Sequence, residues 1–462
     1  MASPAVLGSR ALRASRHTLR TGANSRRGLA AAASSTFQYE TGDSSGVKFA
    51  SRDLPGATTT LTVVSKAGSR YQPLPGYSDA LEKFAFKATE KRSSLRITRE
   101  VELLGGQVAA YHTRENLVLR AKFLKDDLPY FAELLAEVAS KTRYSTHELN
   151  EEVFHTMRLE QKSHLASPLN LALNSVHGVA FHRGLGEPLY PTSSVPVAKY
   201  IDAPGIADFA DAAYARSNIA VVANGATHSD LSKWVKEFFS ESTGTGSATT
   251  QIKSPATKYY GGEERIAHAS GNALILGFPG SAAFTAGSAY KPEVAVLASL
   301  LGGESSIKWS PGFSLLANAA HATPGAQVNT TNAAYSDAGL LYVTLTGNAT
   351  AISSAAKNVV EAIKKVAAGD VSEEVVKKAV AAAKFRALEA GQQTEAGLEA
   401  TGNGLIVSGK AFQISELAKG FEGVTKDGIT KAAKSVLEGK ASVSAVGDLY
   451  ALPFAEEIGL QV

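Results

Sequence analysis

The side chains most able to hold a metal or move a proton cluster in GYSDALEKFAFKATEKR, residues 76–92. Apolar residues Ala80, Leu81, Phe84, Ala85 and Ala88 recur there at helical spacing, so the stretch reads as an amphipathic helix. Asp79, Glu82 and Lys83 punctuate it, giving it the form of a metal-binding helix with the wrong donors. A carboxylate can attract a cation, whereas an ammonium at Lys83 repels one. Histidines elsewhere offer no replacement. None of His112, His147, His155, His164, His177, His182, His228, His268 and His321 stands in an H-x-x-x-H pair. His177 and His182 are five apart and His155 and His164 nine apart, so neither pair shares a helical face. Each reads as a partly exposed helix or loop histidine. The chain has no cysteine, which removes disulfides, thiolate zinc sites and cysteine nucleophiles together. GGESS lacks a lysine at P-loop spacing, so it carries no phosphate-cradling motif. With no cysteines and no plausible haem ligands, electrons are not expected to pass through this chain.

A length of 462 residues, 44% apolar and 19% charged, predicts a folded chain of two or more domains. No run of about 18 apolar residues occurs, so any membrane association has to come through partners. The formal charge of +4 is unevenly placed. Residues 1–36 carry Arg10, Arg13, Arg16, Arg20, Arg26 and Arg27 and no acid; the remainder holds 41 basic against 43 acidic residues. Spaced arginines among Ser, Ala and apolar residues are the pattern of a mitochondrial transit peptide, with cleavage expected between residues 29 and 37. The near-neutral body speaks against nucleic-acid binding.

Along the body, VKFASRDL and ATTTLTVVSKAG have strand patterning, and GSRYQPLPGY reads as a loop. ITREVELLGGQV predicts a helix ending at Gly105 and Gly106, AAYHTRENLVLRAKFL returns to strand, and DDLPYFAELLAEVASKTRY is an amphipathic helix. Helices are expected through HELNEEVFHTMRLEQKSHL and LNLALNSVHGVAFHRG, then a buried strand, SNIAVVANGA, and a Ser-capped helix, SDLSKWVKEFFS. Residues 241–264, rich in Ser, Thr and Gly, read as a linker. After it the order of elements returns: GNALILGFPG, YKPEVAVLASLLGG, AGLLYVTLTG, AISSAAKNVVEAIKKVAAG, VSEEVVKKAVAAAKFRALE and ASVSAVGDLYALPFAEE. The repeat predicts two homologous α/β domains, residues 37–240 and 265–462.

The order of GYSDALEKFAFKATEKR, ELLGGQVAAYHTREN, FHRGLGEPLYP, LLGGESSIKWSPG and YSDAGLLYV resembles the insulinase and pitrilysin family of zinc peptidases, over about residues 40–462. The likeness is strongest to its mitochondrial branch of processing-peptidase subunits and respiratory-complex core proteins. The resemblance implies an α+β chain of two homologous domains, each a mainly antiparallel sheet packed with helices, facing one another across a cavity. It implies a homologous partner subunit, a peripheral membrane position through partners, and no cofactor, nucleic acid or small-molecule substrate. Active members bind zinc with two histidines of H-x-x-E-H and a distant glutamate, leaving an open water position. By resemblance Asp79 and Lys83 stand at the histidine positions, Glu82 at the general base and Glu160, in RLEQKSHLASP, at the distant ligand. No catalytic zinc and no peptidase activity are therefore expected. Ala109 stands where the family often has asparagine. Arg114 and Glu115 match the family and read as a salt bridge tying a strand into its sheet. In GGESSIKWSPGF, Glu304, Ile307, Lys308 and Trp309 interrupt the glycine-rich loop of the presequence-binding processing-peptidase subunit, which favours the core-protein side of the branch. That substrate-binding role and an active peptidase stay as the alternatives.

Overall fold

The computed structural model describes residues 37–192, 197–242, 252, 254, 256–303, 314–321 and 323–462. The basic segment 1–36, linker residues 243–251, 253 and 255, and residues 304–313 of GGESSIKWSPGF lie outside them.

Eleven strands among the described residues form two sheets. The first comprises β1 (Glu40–Ser44), β2 (Val47–Arg52), β3 (Thr58–Ser65), β4 (Gln107–His112), β5 (Leu117–Leu124) and β6 (Ile219–Asn224), in the order β1-β2-β6-β3-β5-β4. The second comprises β7 (Gly262–Ala267), β8 (Asn272–Pro279), β9 (Ala326–Ala334), β10 (Gly339–Gly347) and β11 (Ser442–Gly447), in the order β7-β11-β8-β10-β9. Apart from β1, which hairpins onto β2, both sheets place their strands in spatial order first, fifth, second, fourth, third. Each has one parallel pair, β2 with β6 and β7 with β11, and is otherwise antiparallel. The repeat of element order is thus a repeat of topology. It breaks after the last strand of each half. A helix, His228–Ser242, follows β6, whereas a single 3₁₀ turn, Glu456–Ile458, follows β11. The cap of His228–Ser242 is Thr227, whose hydroxyl accepts from the Asp230 amide at 3.2 Å, and not the serine expected.

Strands IAVVAN and NALILGFP are apolar without alternation because both of their faces are covered. On the first sheet, Leu61, Val63, Leu119 and Val221 point into a core built with helices of the same half, Tyr77–Phe84, Ser94–Leu103 and Leu128–Lys141. Ala50, Ala220 and Val222 point the other way, onto Leu398 and Leu405 of a helix from the second half, Leu398–Val407. The second sheet mirrors this. Leu274, Leu276 and Val343 face its own helices, including Pro292–Leu301 and Ala349–Ala368, while Ala273, Ile275 and Val446 pack on Leu171, Val176 and Ala180 of Pro168–Phe181, from the first half. Each half lends the other a helix.

The exchange leaves little space. A Cβ built on Gly402 would lie 2.4 Å from Cγ2 of Val64, which is fully buried on β3. Alanine in a helix interior ordinarily stabilises by about 0.5–1 kcal/mol over glycine. Here the sign reverses, and G402A costs about 1–3 kcal/mol through overpacking. G420A, whose Cβ meets nothing within 4 Å, behaves in the ordinary way. Chemical denaturation of the two variants beside the parent chain measures both; equal shifts would show that the exchanged helix is not tightly seated.

Candidate functional site

The loop before Tyr77–Phe84 prepares that helix. Gly76 takes φ 102°, and the Gln72 side-chain oxygen accepts from the Gly76 and Ser78 amides at 3.0 and 3.3 Å, filling donors that a helix start leaves open. Tyr77, Ala80, Leu81 and Phe84 enter the core. That fixes Asp79 and Glu82, 1% and 8% exposed, beneath the helix rather than in solvent. The tail EKR is held by Arg92, which pairs with Glu137 of Leu128–Lys141 and with Glu100 at 3.1 Å, while Phe86 packs partly buried at φ 62°.

Glu160 arrives on Phe154–Leu165, a helix preceded by a π-helical turn, Leu149–Val153. The structure brings all four sequence-singled residues together, around Lys83. Its ammonium nitrogen lies 2.5 Å from Glu82 Oε1, 2.7 Å from Glu160 Oε2 and 3.9 Å from Asp79 Oδ1. Burial alone would lower the Lys83 pKa, but Glu160 and Glu82 outweigh it and hold it above the usual lysine range.

A fifth residue joins them. His112, at the end of β4 and 5% exposed, was expected to be a partly exposed bystander. Instead its Nδ1 contacts Glu82 Oε2, its backbone amide donates to the same oxygen at 3.0 Å, and its Nε2 donates to the Leu189 carbonyl at 2.9 Å. Both ring nitrogens face acceptors, which favours the doubly protonated imidazolium. Burial works against that charge, yet Glu82 outweighs it and His112 is raised; burial also opposes Glu82, which His112 and Lys83 pull below the carboxylate range. Tyr190 closes the cluster, its ring 5.2 Å from His112 and 4.9 Å from His164. Nothing in local periodicity connects His112 or Tyr190 to Glu82; the contacts arise because the helix packs on the edge of β4.

Asp79, Glu82 and His112 have ligand-type atoms within 4.8 Å of one another. The donor set nevertheless does not fit a metal. An imidazolium has no lone pair to give, and the space between the carboxylates is held by an ammonium that repels a dication.

Arg114 and Glu115 do not tie a strand into its own sheet. Arg114 donates to the Leu185 and Glu187 carbonyls and to Asn174 Oδ1. Glu115 pairs with Arg70 at 2.8 Å and accepts from Ser336 and Asn403 of the second half, while Arg70 also grips Asp337 with two 2.7 Å bonds. Glu115 and Arg70 thus latch the first half to the second, while Arg114 stays within the first.

Asp79 is the strained member. Burial pushes its carboxyl up to about 6, against the pull of His112 and Lys83, and Oδ1 accepts no hydrogen bond among the described residues. The folded chain thus holds this proton more tightly than the unfolded one, so Asp79 costs nothing below about pH 4 and its penalty grows as pH rises through about 6. Asp79→Asn removes the penalty. Its stabilisation should be near zero at pH 4 and reach about 2–3 kcal/mol by pH 8. Thermal unfolding across that range checks this, and a pH-independent difference would contradict it.

Two family models match the chain: insulinase (peptidase family M16) over residues 48–193, and the peptidase M16 inactive domain over residues 201–383. Among curated proteins it is similar to the mitochondrial cytochrome b-c1 complex subunit 2 of Neurospora crassa, 52% identical with 94% of each chain covered. It is 40% identical to that of Schizosaccharomyces pombe, over 89% of this chain and 93% of the relative, and 25% identical to the human one, over 89% and 90%. A matched length of this extent, on two sheets of repeated topology, shows that the chain belongs to the insulinase family, peptidase family M16.

Proposed function

We propose that this chain is a non-catalytic core subunit of mitochondrial ubiquinol–cytochrome c reductase, complex III, acting in the assembly and stability of the respiratory complex. The observation that carries the non-catalytic reading is the Lys83 ammonium among Asp79, Glu82 and Glu160, where active members of the family hold zinc. Both zinc-binding histidines are replaced on this reading, by Asp79 and Lys83, and the distant ligand Glu160 survives as an ion-pair partner. Curated relatives bearing the name of a cytochrome b-c1 complex subunit, alike over nearly the full chain, support the assembly role. The partners are then the homologous core protein 1 and other subunits of complex III, met through large contacts. The place is the matrix side of the inner membrane, peripheral through those partners; among the described residues no helix is long and apolar enough to cross a membrane. Residues 37–240 and 265–462 are the two peptidase-like domains of this scheme, behind a cleaved segment 1–36.

Gentle detergent solubilisation of mitochondria and identification of what copurifies tests the assignment. Haem-bearing subunits of complex III are expected; comigration with soluble presequence-cleaving activity would overturn it. The metal question has its own readout. After extensive dialysis the parent chain should retain no stoichiometric zinc, while D79H/K83H should take it up and lose it again when Glu160→Ala is added. Stoichiometric zinc with turnover in the parent chain would end the non-catalytic reading.

A further inference from the structure

A cavity of about 670 Å³ lies between the two halves, apart from the Lys83 cluster. That volume suits a small ligand or the end of a long side chain. The β4–β5 hairpin supplies one wall, with Tyr111, Thr113 and Asn116; the second half supplies Phe284, Tyr290 and Phe412. These three rings run edge to face, Phe412 to Phe284 at 6.1 Å and Phe284 to Tyr290 at 5.5 Å.

Three carboxylates line the cavity, and they differ. Glu115 is neutralised by Arg70, and Glu395 by Arg120. Glu399, on the exchanged helix Leu398–Val407, has no cation within ion-pair range among the described residues. It accepts only from neutral groups: the Thr113 hydroxyl at 3.0 Å, the Asn116 amide at 3.1 Å and the Tyr111 hydroxyl at 3.4 Å. Arg114 also lines the cavity, but it is committed to the Leu185 and Glu187 carbonyls and Asn174. Three further polar oxygens of the lining lack any partner among the described residues. They are Asn116 Oδ1, on a side chain whose residue is 5% exposed, Thr62 Oγ1, on one that is 1% exposed, and the buried Tyr290 hydroxyl. Buried polar atoms without partners are uncommon in folded proteins and call for an explanation.

Unsatisfied acceptors, an uncompensated carboxylate and aromatic walls ask for one kind of guest. It carries several N–H donors and a positive charge, which the carboxylate attracts and the ring faces favour, on an apolar stem that the walls cover. We propose that the cavity between the halves is a binding site for an organic cation, a primary ammonium or guanidinium at the end of an apolar chain. An anion would meet Glu399, and a neutral alcohol would leave its charge unanswered. A lysine or arginine side chain of a peptide and a free alkylamine offer the same chemistry. The inference is independent of the assembly role proposed above.

Calorimetric titration of the full chain tests it, with hexylguanidinium and hexylammonium as probes, a blocked arginine-containing tripeptide as the peptide arm, and hexanol and hexanoate as controls. Saturable one-to-one binding of the cations is expected, with hexanol and hexanoate much weaker. Tighter binding of the tripeptide than of the alkyl cations identifies a peptide side chain as the guest, and the reverse order identifies a free amine. Glu399→Gln, which keeps an acceptor in place, should weaken the cations about tenfold or more while leaving hexanol unchanged. Phe284→Leu, a second variant that leaves the charge intact, should weaken them about threefold. Failure of all cations to saturate, equal binding of hexanol, or unchanged affinity in a Glu399→Gln chain with parental melting behaviour would each overturn the proposal.

Discussion

Everything in this molecule depends on the fact that neither sheet can cover its second face from its own half. Val222 and Ala220 are as buried as Val221 and Ala223, yet only the latter two meet helices of their own half. The remedy is reciprocal: Pro168–Phe181 crosses to the second sheet and Leu398–Val407 to the first. The latch of Arg70, Glu115 and Asp337 then locks the same boundary with charge-assisted bonds. Contacts of this kind join residues far apart in the chain, 267 positions for Arg70 and Asp337, so the first sheet stays half-covered until Leu398–Val407 is in place. Such long loops close slowly, which makes the halves one late-completing unit rather than two early ones.

The carboxylate cluster follows a different logic. Two buried carboxylates, Asp79 and Glu82, beside the part-exposed carboxylate of Glu160 are mutually repulsive and poorly solvated, and each lost neighbour would leave an uncompensated charge. Lys83 and His112 answer Glu82 and pull it down, whereas burial pushes Asp79 upward against the weaker pull it receives from them. The arrangement ties three elements to one point: Tyr77–Phe84, Phe154–Leu165 and β4.

Much of this was legible beforehand. Strand alternation, the amphipathic helices and the order of elements in each half are readable because they rest on local periodicity, and the repeat of order becomes a repeat of strand topology. Glu160 was placed opposite Lys83 through likeness to a family, and the two sit 2.7 Å apart. What escaped was tertiary. Unbroken apolar runs in β6 and β8 announced burial on two sides without saying what does the burying. His112 looked like a loop histidine because its partner lies 30 residues back on a different element. The adjacency of Arg114 and Glu115 suggests one salt bridge within a sheet, whereas the two bond different partners, Arg114 within the first half and Glu115 across to the second. The cap at Thr227 rather than Ser229 turned on a two-residue ambiguity that propensity does not resolve.

The lysine at the centre of the cluster has one more consequence. A metal ion is a borrowed charge: it exchanges with the surroundings, competes with other metals and is stripped by chelators. Lys83 is covalently attached four residues from Asp79, so its effective concentration at the site does not depend on supply. The same three elements are thereby cross-braced at every stage at which the chain is folded, with no loading step and no apo form. What such a brace gives the fold is persistence, since a cation that never leaves also admits no water to activate.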